Sequence, residues 1–140
     1  NADFTYCPVP DLPWSAAPVD MFVNVASMQE MNPDQVAGYF DFFRSVAASE
    51  NLFYCCNRVE KVLPDREVSR FMEYPWEPRD EIVFDERCAF QDYFLNLRTL
   101  PRGPRIAGLR VPFVNTYDGP SWHRLARLTR KERISAEARL

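Results

Sequence analysis

A cluster of polar residues follows a short apolar run near residue 25. Asn24, Ser27, Gln29 and Glu30 lie within seven residues, at and directly after the end of the run 21–25. Because ligands of open α/β sheets bind at the carboxyl ends of strands, polar residues in such a position indicate a binding site. Glu30 is a candidate general base for a hydroxyl group, which amide and hydroxyl side chains can hold. The alternative is that these side chains only stabilise the turn.

Three other residues, later in the sequence, are also candidates for a chemical role. Asn57 and Arg58 end the next apolar run, where an arginine can bind an anionic sugar or a phosphate through a bidentate contact. A surface ion pair is the alternative. His123 is the only histidine, and histidine is the side chain that ordinarily titrates near neutral pH. It is therefore a second candidate for acid–base catalysis, with a purely structural role as the alternative.

The four cysteines do not indicate a metal site. None is spaced as in a CxxC motif, and Cys7 and Cys88 lie far from the others in the sequence. Cys55 and Cys56 are adjacent, so on a strand they would face opposite sides of the sheet. We predict buried, reduced thiols, as is usual for a cytosolic protein.

The sequence predicts that a strand–helix–strand unit positions these residues. The run 21–25 is almost continuously apolar, as is typical of a parallel strand that is buried on both faces. Residues 32–48 predict a helix, because Asn32 can cap its start and Pro33 suits its first turn. Residues 52–56 predict the second strand, and a unit this short implies a right-handed parallel crossover.

One side of the predicted helix is apolar. The residues that recur at spacings of three and four are Val36, Tyr39, Phe40, Phe43, Val46 and Ala47. Gly38 costs about 1 kcal/mol of helix stability relative to alanine. We expect it to let the helix pack closely on the sheet.

The C-terminal part predicts further strands and a basic end. Residues 70–74, 80–85 and 111–117 are strand candidates, and Ser121 can cap a last helix. Residues 121–140 carry six basic side chains against two acidic ones, which predicts a basic helix or tail. Such charge is ordinarily solvated, so we expect no binding of nucleic acid.

Several motifs together resemble a known family. They are an apolar strand that ends in N-x-x-S-x-Q-E-M, a helix that opens with Asn-Pro, the strand F-Y-C-C-N-R and a later E-Y-P-W. This combination resembles a bacterial family of sugar O-methyltransferases, which belongs to the class I, S-adenosylmethionine-dependent group. The resemblance covers roughly residues 15–125. Each motif alone would be weak.

The resemblance implies an α/β fold, namely the C-terminal portion of a Rossmann-like, seven-stranded methyltransferase sheet. Residues 21–25 and 52–56 would be its fourth and fifth strands, parallel to each other. Residues 80–85 and 111–117 would supply the antiparallel strand pair that closes the sheet. The glycine-rich loop that approaches the cofactor in this family has no counterpart here, because the four glycines are far apart. The resemblance therefore implies a single partial domain over 1–140, with an incomplete S-adenosylmethionine site.

The resemblance places the residues 24–30 on the loop that borders the cofactor and the substrate. Together with the side-chain chemistry described above, this gives each polar residue an expected role. Asn24 and Ser27 would bind the cofactor, and Gln29 would bind a sugar or glycan substrate together with Asn57 and Arg58. Glu30 and His123 would be catalytic. Three aromatic residues can stack on a sugar ring, although aromatic residues more often belong to a core; they are Tyr74, Trp76 and Tyr93.

Composition and length set limits on these interpretations. The chain has 140 residues, enough for one domain, and contains no apolar run that approaches 18 residues. We therefore expect a soluble, cytoplasmic protein without membrane contact. A sheet that lacks half of its strands exposes an edge, so we also expect self-association through residues 21–25. The alternatives to a methyltransferase are a non-catalytic α/β binding or interaction module and a different group-transfer enzyme with the same topology.

Overall fold

The strand–helix–strand unit predicted from the sequence is present in the structure. The computed structural model describes residues 18–91, 105–110 and 119–131. Strand β1 (Val19–Val25) leads through a short 3₁₀ turn to helix α1 (Pro33–Val46), and strand β2 (Ala47–Arg58) follows directly. The two strands pair in parallel, with Asn24 opposite Cys55. Both predicted strands lie inside the observed ones, and β2 is the longer because it begins where the helix ends.

The start of α1 is capped as predicted. The side chain of Asn32 accepts a hydrogen bond from the Gln35 amide, and the Gln35 side chain accepts one from the Asn32 amide, which completes a capping box. Pro33 occupies the first turn. Gly38, in contrast, is exposed, and a Cβ added there would meet nothing within 4 Å. The expectation that Gly38 allows close packing on the sheet is therefore wrong.

Two C-terminal strands complete a mixed four-stranded sheet. Strand β5 (Glu81–Arg87) and strand β8 (Ser121–Arg127) give the order β1-β2-β8-β5, in which β8 is antiparallel to both of its neighbours. The prediction of a helix from Ser121 is wrong, because this residue begins β8. The described residues form four strands of this sheet, and a seven-stranded Rossmann-like sheet is not seen among them. The predicted strand 111–117 lies outside the described residues.

Two small antiparallel strand pairs form sheets that are separate from the main sheet. Strand β3 (Glu60–Val62) pairs antiparallel with β4 (Val68–Arg70), and β6 (Arg105–Ile106) with β7 (Leu109–Arg110). A 3₁₀ turn (Phe71–Glu73) follows β4. The strand predicted at 70–74 is therefore a strand end and a turn.

The core lies on one face of the main sheet, beneath α1. The Phe40 ring packs edge-on against the rings of Phe53 and Trp76, with centroids 5.4 and 4.9 Å apart. Tyr74 is buried in the same cluster, and Trp76 packs against it. Burial of each large ring contributes on the order of 1.5–3 kcal/mol. Tyr74 and Trp76 are thus core residues rather than a sugar platform, and Tyr93 lies outside the described residues.

A buried ion pair fixes α1 to the rest of the fold. The Arg44 guanidinium donates two hydrogen bonds to the Asp80 carboxylate, of 2.7 and 2.8 Å, and further ones to the carbonyls of Pro75 and Thr129. The amides of Glu77 and Thr129 donate to the same carboxylate. Both charges are buried and fully hydrogen bonded, as a buried pair must be if it is not to destabilise the fold.

The opposite face of the sheet is open within the described residues. Met21, Val23 and Val25 of β1 are 54, 62 and 45% exposed. The expectation that β1 is covered on both faces is therefore not met in this part of the chain. Among the described residues, no helix is long and apolar enough to cross a membrane.

Candidate functional site

The turn after β1 brings the predicted polar residues together. Ala26 has a φ of 59°, in the left-handed region that non-glycine residues rarely adopt, and its amide donates to the Cys56 carbonyl at 2.8 Å. The conformation of Ala26 turns the chain away from the direction of β1, and its hydrogen bond keeps the turn attached to the end of β2. Backbone strain of this kind is often found at functional sites.

Asn24 is the centre of the turn. Its Oδ1 atom accepts hydrogen bonds from Nδ2 of Asn57, at 2.9 Å, and from the Met28 amide, at 3.3 Å. Its Nδ2 atom donates to the Ser27 hydroxyl. The carboxyl ends of β1 and β2 are therefore joined by side-chain amides, as expected for neighbouring parallel strands.

Gln29 joins the turn to the end of β2. Gln29 is 5% exposed. Its backbone amide donates to Asn57 Oδ1 at 3.1 Å, and its side-chain Oε1 atom accepts from the backbone amide of Arg58 at 2.8 Å. Arg58 and Asn57 also line a small cavity of about 50 Å³ next to Ala26. Gln29 and Asn57 use most of their hydrogen-bonding capacity within this network, so they shape the site more than they offer free groups to a ligand.

Glu30 lies at the rim of this network. Its carboxylate accepts a hydrogen bond from Gln29 Nε2 at 3.1 Å and lies 3.6 Å from Nζ of Lys61. The side chain is 51% exposed, so the ion pair with Lys61 contributes little to stability. Glu30 holds Gln29 in place, and its second carboxylate oxygen points to no partner that we describe.

His123 lies elsewhere, on the open face of the sheet. It is opposite Cys56 on β2 and opposite Glu86 on β5. These residues, together with Val25, Tyr54 and Phe90, line a cavity of about 410 Å³, which we call the His123 pocket. This volume lies within the range of small-molecule sites.

A chain of polar contacts crosses the His123 pocket. The Tyr54 hydroxyl is 3.1 Å from Nδ1 of His123, and Oε1 of Glu86 is 3.5 Å from Nε2. Nε2 itself is shielded from solvent and has no hydrogen bond with good geometry among the described residues, whereas the Glu86 side chain is 71% exposed. The order Tyr54–His123–Glu86 therefore runs from two half-buried side chains of the pocket lining to an exposed one.

Tyr54 remains a neutral hydroxyl at physiological pH. Burial, with smaller contributions from the neighbouring Cys56 and Cys88 thiols, raises its pKa to about 12. It can therefore donate to, or accept from, the imidazole, depending on the tautomer of His123.

The cysteines follow the prediction for adjacent residues on a strand. Cys55 belongs to the core beneath α1, and Cys56 lines the His123 pocket on the other face. Cys55, Cys56 and Cys88 are buried thiols that form no disulfide, and burial raises the pKa of Cys55 to about 12. Cys7 lies outside the described residues. Within the described part of the chain, no three His, Cys, Asp or Glu side chains converge as a metal site would require.

The polar turn and the His123 pocket are neighbours. Cys56 and Gln91 line both the pocket and the small cavity beside Ala26. The structure thus brings Asn24, Ser27, Gln29, Glu30, Asn57 and Arg58 into one network and places His123 in an adjoining pocket.

The sequence reasoning missed Glu86, which no motif distinguishes and which only the pairing of β5 with β8 brings to His123. It also missed Tyr54, whose hydroxyl bonds that imidazole. Tyr54 lies within an apolar run of the sequence, and a buried tyrosine hydroxyl usually has a hydrogen-bond partner, so a partner could have been expected.

The predicted cofactor contacts fit S-adenosylmethionine poorly within the described residues. Asn24 and Ser27 bond to each other, and Asn24 also bonds to Asn57 and to the Met28 amide. Gly38, Gly108 and Gly119 are the described glycines, and an added Cβ at each would meet nothing within 4 Å, so none of them forms a close cradle. Comparison with protein-family models, with curated proteins and with solved structures gives no match for this chain.

Proposed function

We propose that this chain is part of an S-adenosylmethionine-dependent O-methyltransferase that methylates a sugar or glycan hydroxyl. The observation that carries the proposal is the arrangement of the sheet, which we call its frame. A parallel strand pair linked by a helix is followed by two C-terminal strands that pair antiparallel. The motifs of the resemblance lie on this frame, since the polar turn follows β1 and Asn57 and Arg58 end β2. A fold alone does not fix chemistry, so frame and motifs support the proposal together.

The residues of the His123 pocket can supply the proton transfer that such a reaction needs. An alcohol becomes a good nucleophile only as its proton leaves, and S-adenosylmethionine supplies an electrophilic methyl group when it is bound. The exposed Glu86 carboxylate can accept the hydrogen bond of the hydroxyl, and the proton ends on Nε2 of His123 behind it. The resulting imidazolium lies beside the Glu86 carboxylate, while the Tyr54 hydroxyl holds Nδ1.

Glu30 then has a different role from the one that the resemblance implies. Its carboxylate is engaged by Gln29 and Lys61, and Glu30 is not among the residues that line the His123 pocket. We assign it to the support of Gln29, which in turn holds the Arg58 amide. The remaining polar groups of this network would orient the sugar at the carboxyl ends of the strands.

The test is methyl transfer by the natural protein that contains this sequence. Labelled S-adenosylmethionine and a series of sugars and glycosides would be supplied, and His123→Ala and Glu86→Gln would be compared with Glu30→Gln. Loss of a general base costs about 10²–10⁴-fold in rate. We expect a loss of that order for His123→Ala, a smaller loss for Glu86→Gln and the smallest for Glu30→Gln.

A matched control makes the comparison specific. Glu81→Gln alters an exposed carboxylate on the same strand as Glu86, paired only with the surface residue Arg127 at 3.0 Å among the bonds that we describe. Its rate should equal that of the parent. A natural protein that neither binds S-adenosylmethionine nor transfers its methyl group would rule out the proposal.

A second candidate, a non-catalytic interaction module, is favoured by the open apolar face. Met21, Val23 and Val25 expose about half of their side-chain surface on one strand, and exposed apolar patches often mark interaction sites. Under this alternative, His123→Ala would leave every measurable function of the natural protein unchanged, whereas a charge placed at Val23 would abolish partner binding.

A further inference from the structure

The lining of the His123 pocket is unlike that of a site for a free sugar. Most of its surface is apolar, and Val25 and Phe90 contribute exposed side chains, 45 and 72% accessible. A free monosaccharide is covered with hydroxyl groups that each need a hydrogen-bonding partner when they lose water. The polar side chains of its lining are those of Tyr54, Glu86, Arg87, Gln91 and His123, and polar atoms contribute the smaller part of its surface.

We propose that the His123 pocket binds the apolar aglycone of a glycoside, and that the hydroxyl to be modified belongs to a molecule with an apolar ring or chain. This rests on the proposed function and names its acceptor class. A cavity of about 410 Å³ has room for one aromatic ring and part of a sugar. The ring would lie against Phe90 and Val25, and the hydroxyl would reach the Glu86 carboxylate.

The position of the pocket agrees with this division of the ligand. Cys56 and Gln91 separate it from the small cavity beside Asn57 and Arg58, so an apolar group in the pocket leaves an attached sugar near the polar turn. The two parts of an amphipathic acceptor thus meet surfaces of matching polarity. A wholly polar acceptor would leave the apolar walls wet or would lose its own hydration without compensation.

The single histidine of the chain allows a direct binding measurement. Its ring gives one Cε1–H signal in a carbon–proton correlation NMR spectrum, which needs no assignment by mutation. The probe is phenyl β-D-glucopyranoside, and D-glucose is the matched ligand without the apolar ring. We expect a saturable shift of the His123 ring signal with the phenyl glucoside, and at least about ten-fold weaker binding of glucose, because an apolar ring leaves water.

Two surface variants and a control locate the binding. Phe90→Ala and Val25→Ser remove exposed apolar groups, so neither should unfold the chain, and each should weaken the phenyl glucoside at least three-fold. Val62→Ser is the control, because Val62 is an exposed strand valine, 59% accessible, on the hairpin β3–β4 outside the pocket. Its affinity should match that of the parent.

The possible results test the aglycone site and the methyltransferase separately. No shift of the His123 signal, equal affinity for glucose, or equal effects of Val25→Ser and Val62→Ser would each overturn the aglycone site. Binding without methyl transfer by the natural protein would reject the methyltransferase but retain the pocket. Methyl transfer that is equally efficient with glucose and the phenyl glucoside would retain the enzyme and reject the pocket.

Discussion

Arg44 and Asp80 form a buried pair of opposite charges in the fold. Arg44 follows Val36 and Phe40 at four-residue intervals, so it lies in the buried stripe of α1. A charged residue at such a position is a sequence signal for a buried partner, but nothing in the sequence indicates which carboxylate 36 positions away it meets. Tertiary contacts decide this, because the Asp80 carboxylate also accepts from two backbone amides.

Asp80→Asn should destabilise the fold by about 3–5 kcal/mol, because it leaves the buried Arg44 guanidinium with only the half-exposed Glu77 carboxylate, 3.2 Å away, as counter-charge. Denaturant unfolding measures this loss. Glu81→Gln, which alters an exposed ion pair, should cost less than about 1 kcal/mol. Equal losses for the two variants would contradict the role that we assign to Asp80.

The same pair predicts the acid sensitivity of the fold. Burial by itself raises the pKa of Asp80, but hydrogen bonds from Arg44 and from the amides of Thr129 and Glu77 more than offset this, and the pKa is lowered. A carboxyl group with a lowered folded-state pKa stabilises the fold above its unfolded value of about 3.9, and the contribution disappears as pH falls through the folded pKa. Unfolding curves should show stability falling below about pH 4, and Asp80→Asn should lack this component. If Asp80→Asn lost stability below about pH 4 in the same way as the parent does, Asp80 would not be the source of the acid sensitivity.

Ala26 is the strained residue of the polar turn. A β-branched side chain at its φ of 59° should cost about 1–2 kcal/mol more than a side chain that tolerates this region, whereas glycine adopts it freely. Ala26→Val should therefore unfold at lower denaturant concentration than Ala26→Gly, by at least about 1 kcal/mol. Identical midpoints would show that the turn relaxes to another conformation.

At the scale of elements, α1 was the easiest part to predict. Its start is fixed by local chemistry, namely the cap at Asn32 and the proline after it, and these signals need no tertiary contact. Strand β8 could not be predicted in the same way. Ser121 resembles a helix cap, and Trp122 and Arg124 alternate with His123 and Leu125, so neither face of the strand is plainly apolar.

The structure explains the unusual pattern of β8. The Arg124 guanidinium forms a bidentate pair with Asp85, and it lies over the Trp76 ring at 4.7 Å, so a charged residue is accommodated on the core face. Only the neighbouring strand and the aromatic cluster make this possible. The polar turn could be predicted as a cluster, but the His123 pocket could not, because it depends on the pairing of β2, β8 and β5.

Gly38→Ala should stabilise α1. The glycine lies in the helix interior with open space around it, and alanine is favoured there by about 0.5–1 kcal/mol. The thermal unfolding midpoint should rise by a few degrees. A lower midpoint would show that the exposed face of α1 has a packing partner.

At the scale of the whole molecule, the sheet is asymmetric. Helix α1 and the aromatic cluster cover one face, whereas the other face exposes apolar side chains of β1 within the described residues. Apolar composition alone predicted a strand that is buried on both faces. It could not reveal that the second face is open in the described part of the chain, because burial depends on tertiary contacts and not on composition.

We expect the isolated chain to self-associate through β1. Val23 is 62% exposed, and β1 pairs only with β2 among the described strands, so its other edge can pair with a second copy. Val23→Lys should shift the mass measured by light scattering towards the monomer, and Val62→Lys should not. A parent chain that is monomeric at every concentration would contradict this expectation.

The measurement that tests the central claim most directly is the steady-state rate of methyl transfer by the natural protein with His123→Ala, measured beside Glu81→Gln. If His123 receives the proton of the acceptor hydroxyl, kcat should fall by about 10² or more while KM changes much less. Glu81→Gln should behave as the parent. A His123→Ala protein that folds normally and keeps the parental kcat would contradict the account.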